Sequence, residues 1–128
     1  MDSAPNKSKL TLVVGATDNP ERYAYRAVEL LQAKGVPVVP IGIKKGRVFG
    51  EEILDLRLKP ALTEIHTITL YLGSSNQVEW MDYLIGLRPK RIIFNPGTEN
   101  FNFFSKAKYE GIEVLEACTL VMLTTGQF

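Results

Sequence analysis

The sequence predicts an α/β domain in which helices cover both faces of a parallel β-sheet. Short runs of β-forming residues alternate with amphipathic segments along the chain, which is typical of βαβ units. The run LTLVV at residues 10–14 is apolar nearly throughout, as expected for a parallel strand buried on both faces. Gly15, Gly73 and Gly97 each follow a predicted strand, where glycine permits tight turns and close approach of a ligand to the backbone.

Five strands are predicted from these runs. They are residues 10–14, 36–41, 67–72, 91–94 and 112–115. Residues 44–66 lack a clear periodicity, and we expect there a charged turn and a short helical piece at 51–54.

The helices are predicted from apolar spacing and from capping residues. Residues 19–21 combine an N-cap asparagine, a first-turn proline and an acid suited to the positive end of the helix dipole. Alternatively, the first helix begins nearer Tyr23 and residues 16–22 form a loop. The later helices are expected over residues 76–85, 101–111 and 119–123.

These elements predict a Rossmann-like three-layer fold with a five-stranded parallel sheet in the order 3-2-1-4-5. In that order the ligand crevice lies beyond the carboxyl ends of the strands, where strands 1 and 4 diverge. The loops at that edge are residues 15–22, 42–47, 73–76 and 95–100.

Length and composition limit the class of protein. The chain has 128 residues, with 45% hydrophobic residues and a net charge of +1. We interpret residues 1–9 as a disordered lead-in and residues 10–128 as a single domain. The near-neutral charge argues against nucleic acid as a partner, and no apolar run is long enough to cross a membrane. A single cysteine and a polar N-terminus predict a cytoplasmic protein.

The first turn after strand 1 is a candidate phosphate site. Gly15, Ala16 and Thr17 keep the leading glycine of a phosphate-binding turn, but they do not complete the GxGxxG pattern. Backbone N–H groups that open a helix can bind an anion there. Arg22 lies close enough to reach a pyrophosphate, and Tyr23 is either a packing residue or an adenine platform. An ordinary βα turn that contains a glycine is the alternative.

The residues after strand 2 distinguish between nucleotide cofactors. An NAD site usually has an acid there to hold the ribose diol, whereas this sequence has Gly42 followed by Lys44 and Lys45. Two ammonium groups suit a ribose that carries a phosphate, as in NADP or coenzyme A. A solvated charged loop is the alternative interpretation.

Residues that could perform catalysis are sparse. His66 precedes strand 3, at the end of the sheet opposite the crevice, and Cys118 lies in an apolar segment without a histidine nearby in sequence. We predict no catalytic residue and no metal site. Phe101, Phe103, Phe104 and Phe128 are candidates for a subunit contact, and core packing is the alternative for at least Phe101 and Phe104, so a protein partner or a second copy remains open.

Four segments of the chain carry a resemblance to a known family. They are VVGATDNPERY at 13–23, VVPIG at 38–42, NPGTEN at 95–100 and EACTLVML at 116–123. These segments resemble the small stand-alone CoA-binding proteins, which are related to the CoA-binding domain of the succinyl-CoA synthetase α subunit.

The resemblance covers nearly the whole chain from Leu10 and implies CoA held across the loops after strands 1 to 4. It implies that Gly15, Ala16 and Thr17 line the phosphates and that Lys44 or Lys45 contacts the phosphorylated ribose. Asn19 is also expected among the cofactor-binding residues. It also implies that Leu72 and Gly73 flank the adenine, and that Pro96 and Gly97 border the pantetheine.

Three functions follow as hypotheses. The first is a CoA or acyl-CoA binding module that serves as a carrier, sensor or partner subunit. The second is an NADP-linked oxidoreductase, which the incomplete glycine pattern and the missing acid/base pair disfavour. The third is an interaction domain that has lost its ligand.

Overall fold

The computed structural model describes residues 7–128, and a six-stranded parallel sheet forms its centre. The strands of this sheet are β1 (Thr11–Val14), β2 (Val38–Gly42), β5 (Leu54–Asp55), β6 (Thr67–Leu70), β7 (Arg91–Phe94) and β8 (Glu113–Glu116). Their spatial order is β5-β2-β1-β6-β7-β8, with every neighbouring pair parallel. The remaining strands, β3 (Arg47–Val48) and β4 (Glu51–Glu52), form a separate antiparallel hairpin.

Helices cover both faces of the sheet. They are α1 (Tyr23–Ala33), α2 (Met81–Gly86), α3 (Phe101–Tyr109) and α4 (Thr119–Thr124), and 3₁₀ segments occupy Leu56–Leu58, Ser74–Asn76 and Val78–Trp80. Alternate residues of β1 point to opposite faces, as strand geometry requires. Leu12 and Val14 pack in the cluster that contains α2 and α3, whereas Val13 packs in the cluster that contains α1 and α4.

The predicted three-layer Rossmann-like class is therefore confirmed, but the strand count and order were partly wrong. The predicted third strand is β6, which pairs with β1 rather than with β2. The true neighbour of β2 is β5, a strand of two residues that lies where we expected a helical piece. The ligand edge consequently opens between β1 and β6. A two-residue strand is too short to show a periodicity, which explains the error.

Two further expectations concern the chain ends and the phenylalanines. Residues 1–6 of the predicted lead-in lie outside the described residues. Phe103 and Phe104 pack against Phe94, with ring centroids 5.2 and 5.6 Å apart, but Phe101 is 82% exposed and core packing does not account for it. Within residues 7–128, every helix is too short or too polar to span a bilayer.

Candidate functional site

A cleft of about 700 Å³ lies at the carboxyl ends of β1, β2, β6 and β7. All but two of the residues predicted to bind a cofactor line it. Those present are Gly15, Ala16, Thr17, Asn19, Arg22, Tyr23, Lys44, Leu72, Gly73, Pro96 and Gly97. The lining also contains six residues that were not predicted from the sequence: Asp18, Glu21, Ala24, Ile43, Tyr71 and Thr98.

Gly15 and Gly42 form a tight floor under this cleft. Gly15 has a φ of +94°, and a Cβ there would lie 2.9 Å from the Tyr71 carbonyl oxygen. A Cβ on Gly42 would lie 2.8 Å from the carbonyl oxygen of Ala16. Gly42 is buried, and among the described residues it does not belong to the cleft lining. Both glycines are therefore required by the packing of neighbouring strands, whatever binds above them.

In the first turn, the first two backbone N–H groups form hydrogen bonds within the described part of the protein, whereas the next two do not. The N–H groups of Gly15 and Ala16 both donate to the Ile41 carbonyl, at 3.0 and 3.1 Å. Asn19 N–H donates to Thr17 Oγ1 at 3.1 Å. Within residues 7–128, the N–H groups of Thr17 and Asp18 have no protein acceptor. If the turn binds an anion, Thr17 and Asp18 provide the backbone donors, and Gly15 and Ala16 do not.

Helix α1 begins at Tyr23, so the predicted start at residues 19–21 was wrong and the alternative start is correct. Asn19 Oδ1 accepts from Glu21 N–H at 3.0 Å, and the Asn19 carbonyl accepts from Arg22 N–H at 3.1 Å. These bonds close a turn ahead of the helix, because an asparagine side chain competes with helical hydrogen bonding.

The N-terminus of α1 faces the cleft without a side-chain cap. The N-cap residue is Arg22, which makes no capping hydrogen bond, and the first turn holds no acid. In the part of the chain that the structure describes, the N–H groups of Tyr23 and Ala24 also lack acceptors. Both residues line the cleft, so the positive end of the helix dipole opens into it.

The two lysines predicted to contact the ligand differ in their position relative to the cleft. Lys44 lines the cleft, whereas Lys45 lies outside its described lining. The hydrogen bonds from Arg57 are the main cause of the lowered pKa of the Asp55 carboxyl, and the charge of Lys45 makes a smaller contribution. Asp18 lies against the same loop, since a Cβ on Gly46 would meet its Oδ2 at 2.8 Å.

The loops after β6 and β7 form the opposite wall. Gly73 has a φ of −62° and is exposed, so its conformation is open to any residue. Gly97 has a φ of +92°, and its N–H donates to Glu99 Oε1 at 2.9 Å. Tyr23 is 68% exposed above this wall, which excludes the packing role considered for it.

A buried polar network holds the loop after β7 in position. The side-chain amide of Asn95 donates to Thr69 Oγ1 at 2.8 Å and to the Leu70 carbonyl at 3.0 Å. Its oxygen accepts from Thr119 N–H at 2.8 Å, and the Thr69 and Thr119 hydroxyls bond to each other at 2.7 Å. This network ties β6, β7 and α4 together directly beneath the site.

The Gln77 side chain holds the loop after β6 in position through hydrogen bonds. Its side chain is fully buried and donates to the carbonyls of Leu72 and Thr98, at 2.7 and 2.8 Å. Asn100 donates to its Oε1 at 3.0 Å. Because both wall loops share this one amide, they are fixed relative to each other. Gln77 was not predicted from the sequence, since a glutamine in an irregular segment has no distinguishing pattern.

A smaller cavity of about 220 Å³ adjoins the cleft and shares Tyr23, Tyr71 and Pro96 with it. Its other walls are Asn95, Cys118 and Leu120. Burial raises the pKa of Tyr71 to about 12, although the Thr69 and Thr119 hydroxyls oppose the rise. Within the described residues, no partner meets the hydrogen-bond geometry for the Tyr71 hydroxyl.

His66 lies at the opposite end of the sheet, as predicted. Its backbone N–H donates to the Leu10 carbonyl just before β1, and its ring Nδ1 is 2.7 Å from Thr67 Oγ1. Burial lowers the pKa of its imidazole. Among residues 7–128, no group of three or more His, Cys, Asp or Glu side chains could hold a metal ion.

Comparison with known proteins gives a consistent result. The family described as "CoA binding domain" matches residues 9–124. An uncharacterized protein of known crystal structure is 44% identical, with a TM-score of 0.91 over 94% of this chain and 98% of the other.

More distant structures have the same fold. A hypothetical protein from Pyrococcus horikoshii OT3 is 23% identical, with a TM-score of 0.79 over 94% of this chain and 84% of the other. The cell-free ID.343 protein from Thermus thermophilus is 26% identical, with a TM-score of 0.76 over 94% and 90% of the two chains. No functionally curated protein matches the sequence. The family match spans most of the chain, and the protein therefore belongs to the CoA binding domain family.

Proposed function

We propose that the protein binds coenzyme A, or an acyl-CoA, in the cleft at the carboxyl ends of β2, β1, β6 and β7. The observation that carries this proposal is the uncapped N-terminus of α1, which opens into the cleft together with the free N–H groups of Thr17 and Asp18. Such donors bind a pyrophosphate. Membership in the CoA binding domain family supports CoA as its source.

The order of the strands supports an extended ligand. Lys44 follows β2 at one side of the cleft, and Pro96 follows β7 toward the other. In our proposal the 3′-phosphate of CoA contacts Lys44, the pyrophosphate contacts the first turn and the pantetheine passes Pro96 and Gly97. From β2 to β7 are three strand spacings of about 4.8 Å, roughly 14 Å in all, which an extended CoA can cross.

The role that follows is a carrier, a sensor or a partner module for acyl-CoA chemistry. NADP also carries a phosphorylated ribose and is the ligand that the test must exclude. Its nicotinamide would need hydrogen-bond partners for a carboxamide beyond β7. The Asn95 amide, which lies there, already has its bonds satisfied by Thr69, Leu70 and Thr119.

Native mass spectrometry and thermal unfolding test the proposal. The protein as purified should carry CoA, or should bind it when CoA is added. A ligand at a hundredfold excess over its Kd stabilises the native state by about 2.7 kcal/mol, which raises the Tm of a domain of this size by several degrees. A Tm rise with NADP and none with CoA would overturn the proposal.

A further inference from the structure

The smaller cavity of about 220 Å³ extends the cleft beyond β7. It shares Tyr23, Tyr71 and Pro96 with the cleft, and Asn95, Cys118 and Leu120 close it from β7 and the start of α4. Lys44 lies at the other side of the sheet edge, after β2. Resting on the proposed function, a CoA molecule with its ribose phosphate at Lys44 directs its thiol toward this cavity.

The chemistry of the cavity wall is apolar. None of the six residues that line it is charged. The one amide, on Asn95, has its nitrogen and its oxygen engaged by Thr69, Leu70 and Thr119. A carboxylate placed here would lose its hydration without meeting a cation, which is strongly unfavourable. A hydrocarbon group would lose only contact with water.

The size of the cavity limits that hydrocarbon group. A protein cavity of about 150 Å³ lined by apolar residues holds a benzene molecule. By that scale, 220 Å³ accommodates an acyl group of about four to eight carbons, straight, branched or aromatic. A longer chain would extend beyond the cavity and leave its additional methylene groups in contact with water.

We infer that this cavity is an acyl-binding site, and that the preferred ligand is a thioester of CoA with an uncharged acyl group of that size. The Tyr71 hydroxyl, which no group of the described residues meets in hydrogen-bond geometry, belongs to this wall together with Cys118. Dicarboxylic acyl groups are excluded by the same wall.

Calorimetry with a series of ligands tests the inference: CoA, acetyl-CoA, butyryl-CoA, hexanoyl-CoA, succinyl-CoA and palmitoyl-CoA. From acetyl to hexanoyl, affinity should rise by about fourfold for each methylene buried. Succinyl-CoA should bind no more tightly than CoA, and palmitoyl-CoA no more tightly than hexanoyl-CoA. Equal affinity for CoA and hexanoyl-CoA would overturn the acyl site but leave the proposed function intact. No binding of any member would overturn the proposed function itself.

A pair of substitutions on α4 locates the effect. Leu120→Trp fills the cavity and should reduce the affinity ratio between hexanoyl-CoA and CoA toward one. Val121→Trp is the matched control, because Val121 is next in sequence but 56% exposed and outside the cavity lining among the described residues. It should keep the wild-type ratio. An unchanged ratio in a folded Leu120→Trp protein would contradict the inference.

Alkylation of the wild-type protein provides a readout that needs no variant. Cys118 is the only cysteine of the chain, so iodoacetamide modification followed by mass spectrometry reports on this cavity alone. At matched saturation of the cleft, hexanoyl-CoA should slow the modification more than CoA does. Equal rates with the two ligands would show that the acyl group lies elsewhere.

Discussion

The substitution Arg22→Ser should stabilise the free protein and weaken its binding of CoA. Arg22 occupies the N-cap position of α1 with φ −95° and ψ 147°, an extended conformation that a capping serine adopts. The arginine makes no capping bond, and its cation lies at the positive end of the helix dipole. Serine would supply the missing acceptor and remove that charge.

The gain in stability can be estimated from these two effects. A serine cap contributes typically about 1 kcal/mol, and relief of the unfavourable dipole interaction about 0.3–1 kcal/mol. The free energy of unfolding should therefore increase by about 1–2 kcal/mol, which raises Tm by about 4–8 °C for a domain of this length. The loss in affinity has two causes. The serine hydroxyl oxygen accepts a hydrogen bond from an α1 N–H group that the ligand needs as a donor. The guanidinium cation of Arg22 is also removed.

Thermal unfolding without ligand and calorimetry with CoA measure the two effects separately. Arg26→Ser is the matched control, since Arg26 is an exposed residue one turn later in α1 and lies outside the described cleft lining. It removes the same charge but should slightly lower Tm, because serine is the weaker helix former, and should leave CoA affinity nearly unchanged. If Arg22→Ser stabilises the protein and binds CoA as tightly as the wild type, the α1 N-terminus is not the phosphate site.

Three further substitutions test other parts of the site. Lys44→Ala should remove about 1–2 kcal/mol of the preference for CoA over dephospho-CoA, whereas Lys45→Ala should not; equal effects would refute the separate positions of the two lysines. Gly73→Ala should leave Tm unchanged, since its Cβ meets nothing within 4 Å, but should weaken CoA; unchanged affinity would show that the ligand does not approach Gly73. Asn95→Asp should lower the free energy of unfolding by about 2–4 kcal/mol because it breaks a buried network, as denaturant titration would measure. A loss below about 1 kcal/mol would mean that the network contributes little.

The strands that could be predicted are those whose burial on both faces requires a continuous run of β-forming residues. β1, β6 and β7 are buried throughout, so their sequences are runs of β-formers that need no partner information to recognise. The position of β6 beside β1 could not be predicted in the same way. It depends on β5, whose two residues are half-buried. Such a short segment forms a strand because of its contacts with neighbouring elements, and its own residues do not predict one.

The candidate site was predictable mainly through its backbone. Glycines and prolines after strands pointed to the correct loops, because those loops meet at one edge of any parallel sheet. The sequence pattern could not show which of these residues are required by packing and which are available to a ligand. Gly15 is fixed by the nearby Tyr71 carbonyl, so a valine there would test folding rather than binding. Lys44 and Lys45 are adjacent in sequence, and the sequence alone does not show that, among the described residues, only Lys44 of the two lines the cleft.

The charges at the cleft explain why a net-charge argument alone would not find this site. Asp18 and Glu21 oppose Arg22 and Lys44 in the lining, so two negative and two positive charges cancel at distances beyond the Debye length of about 8 Å. The attraction for an anion that remains is short-ranged and comes from directed N–H groups at the first turn and at α1. Directed donors favour a pyrophosphate in one position over polyanions in general. The specificity of the cleft therefore depends on how the turn before Tyr23 is closed, and Asn19 closes it.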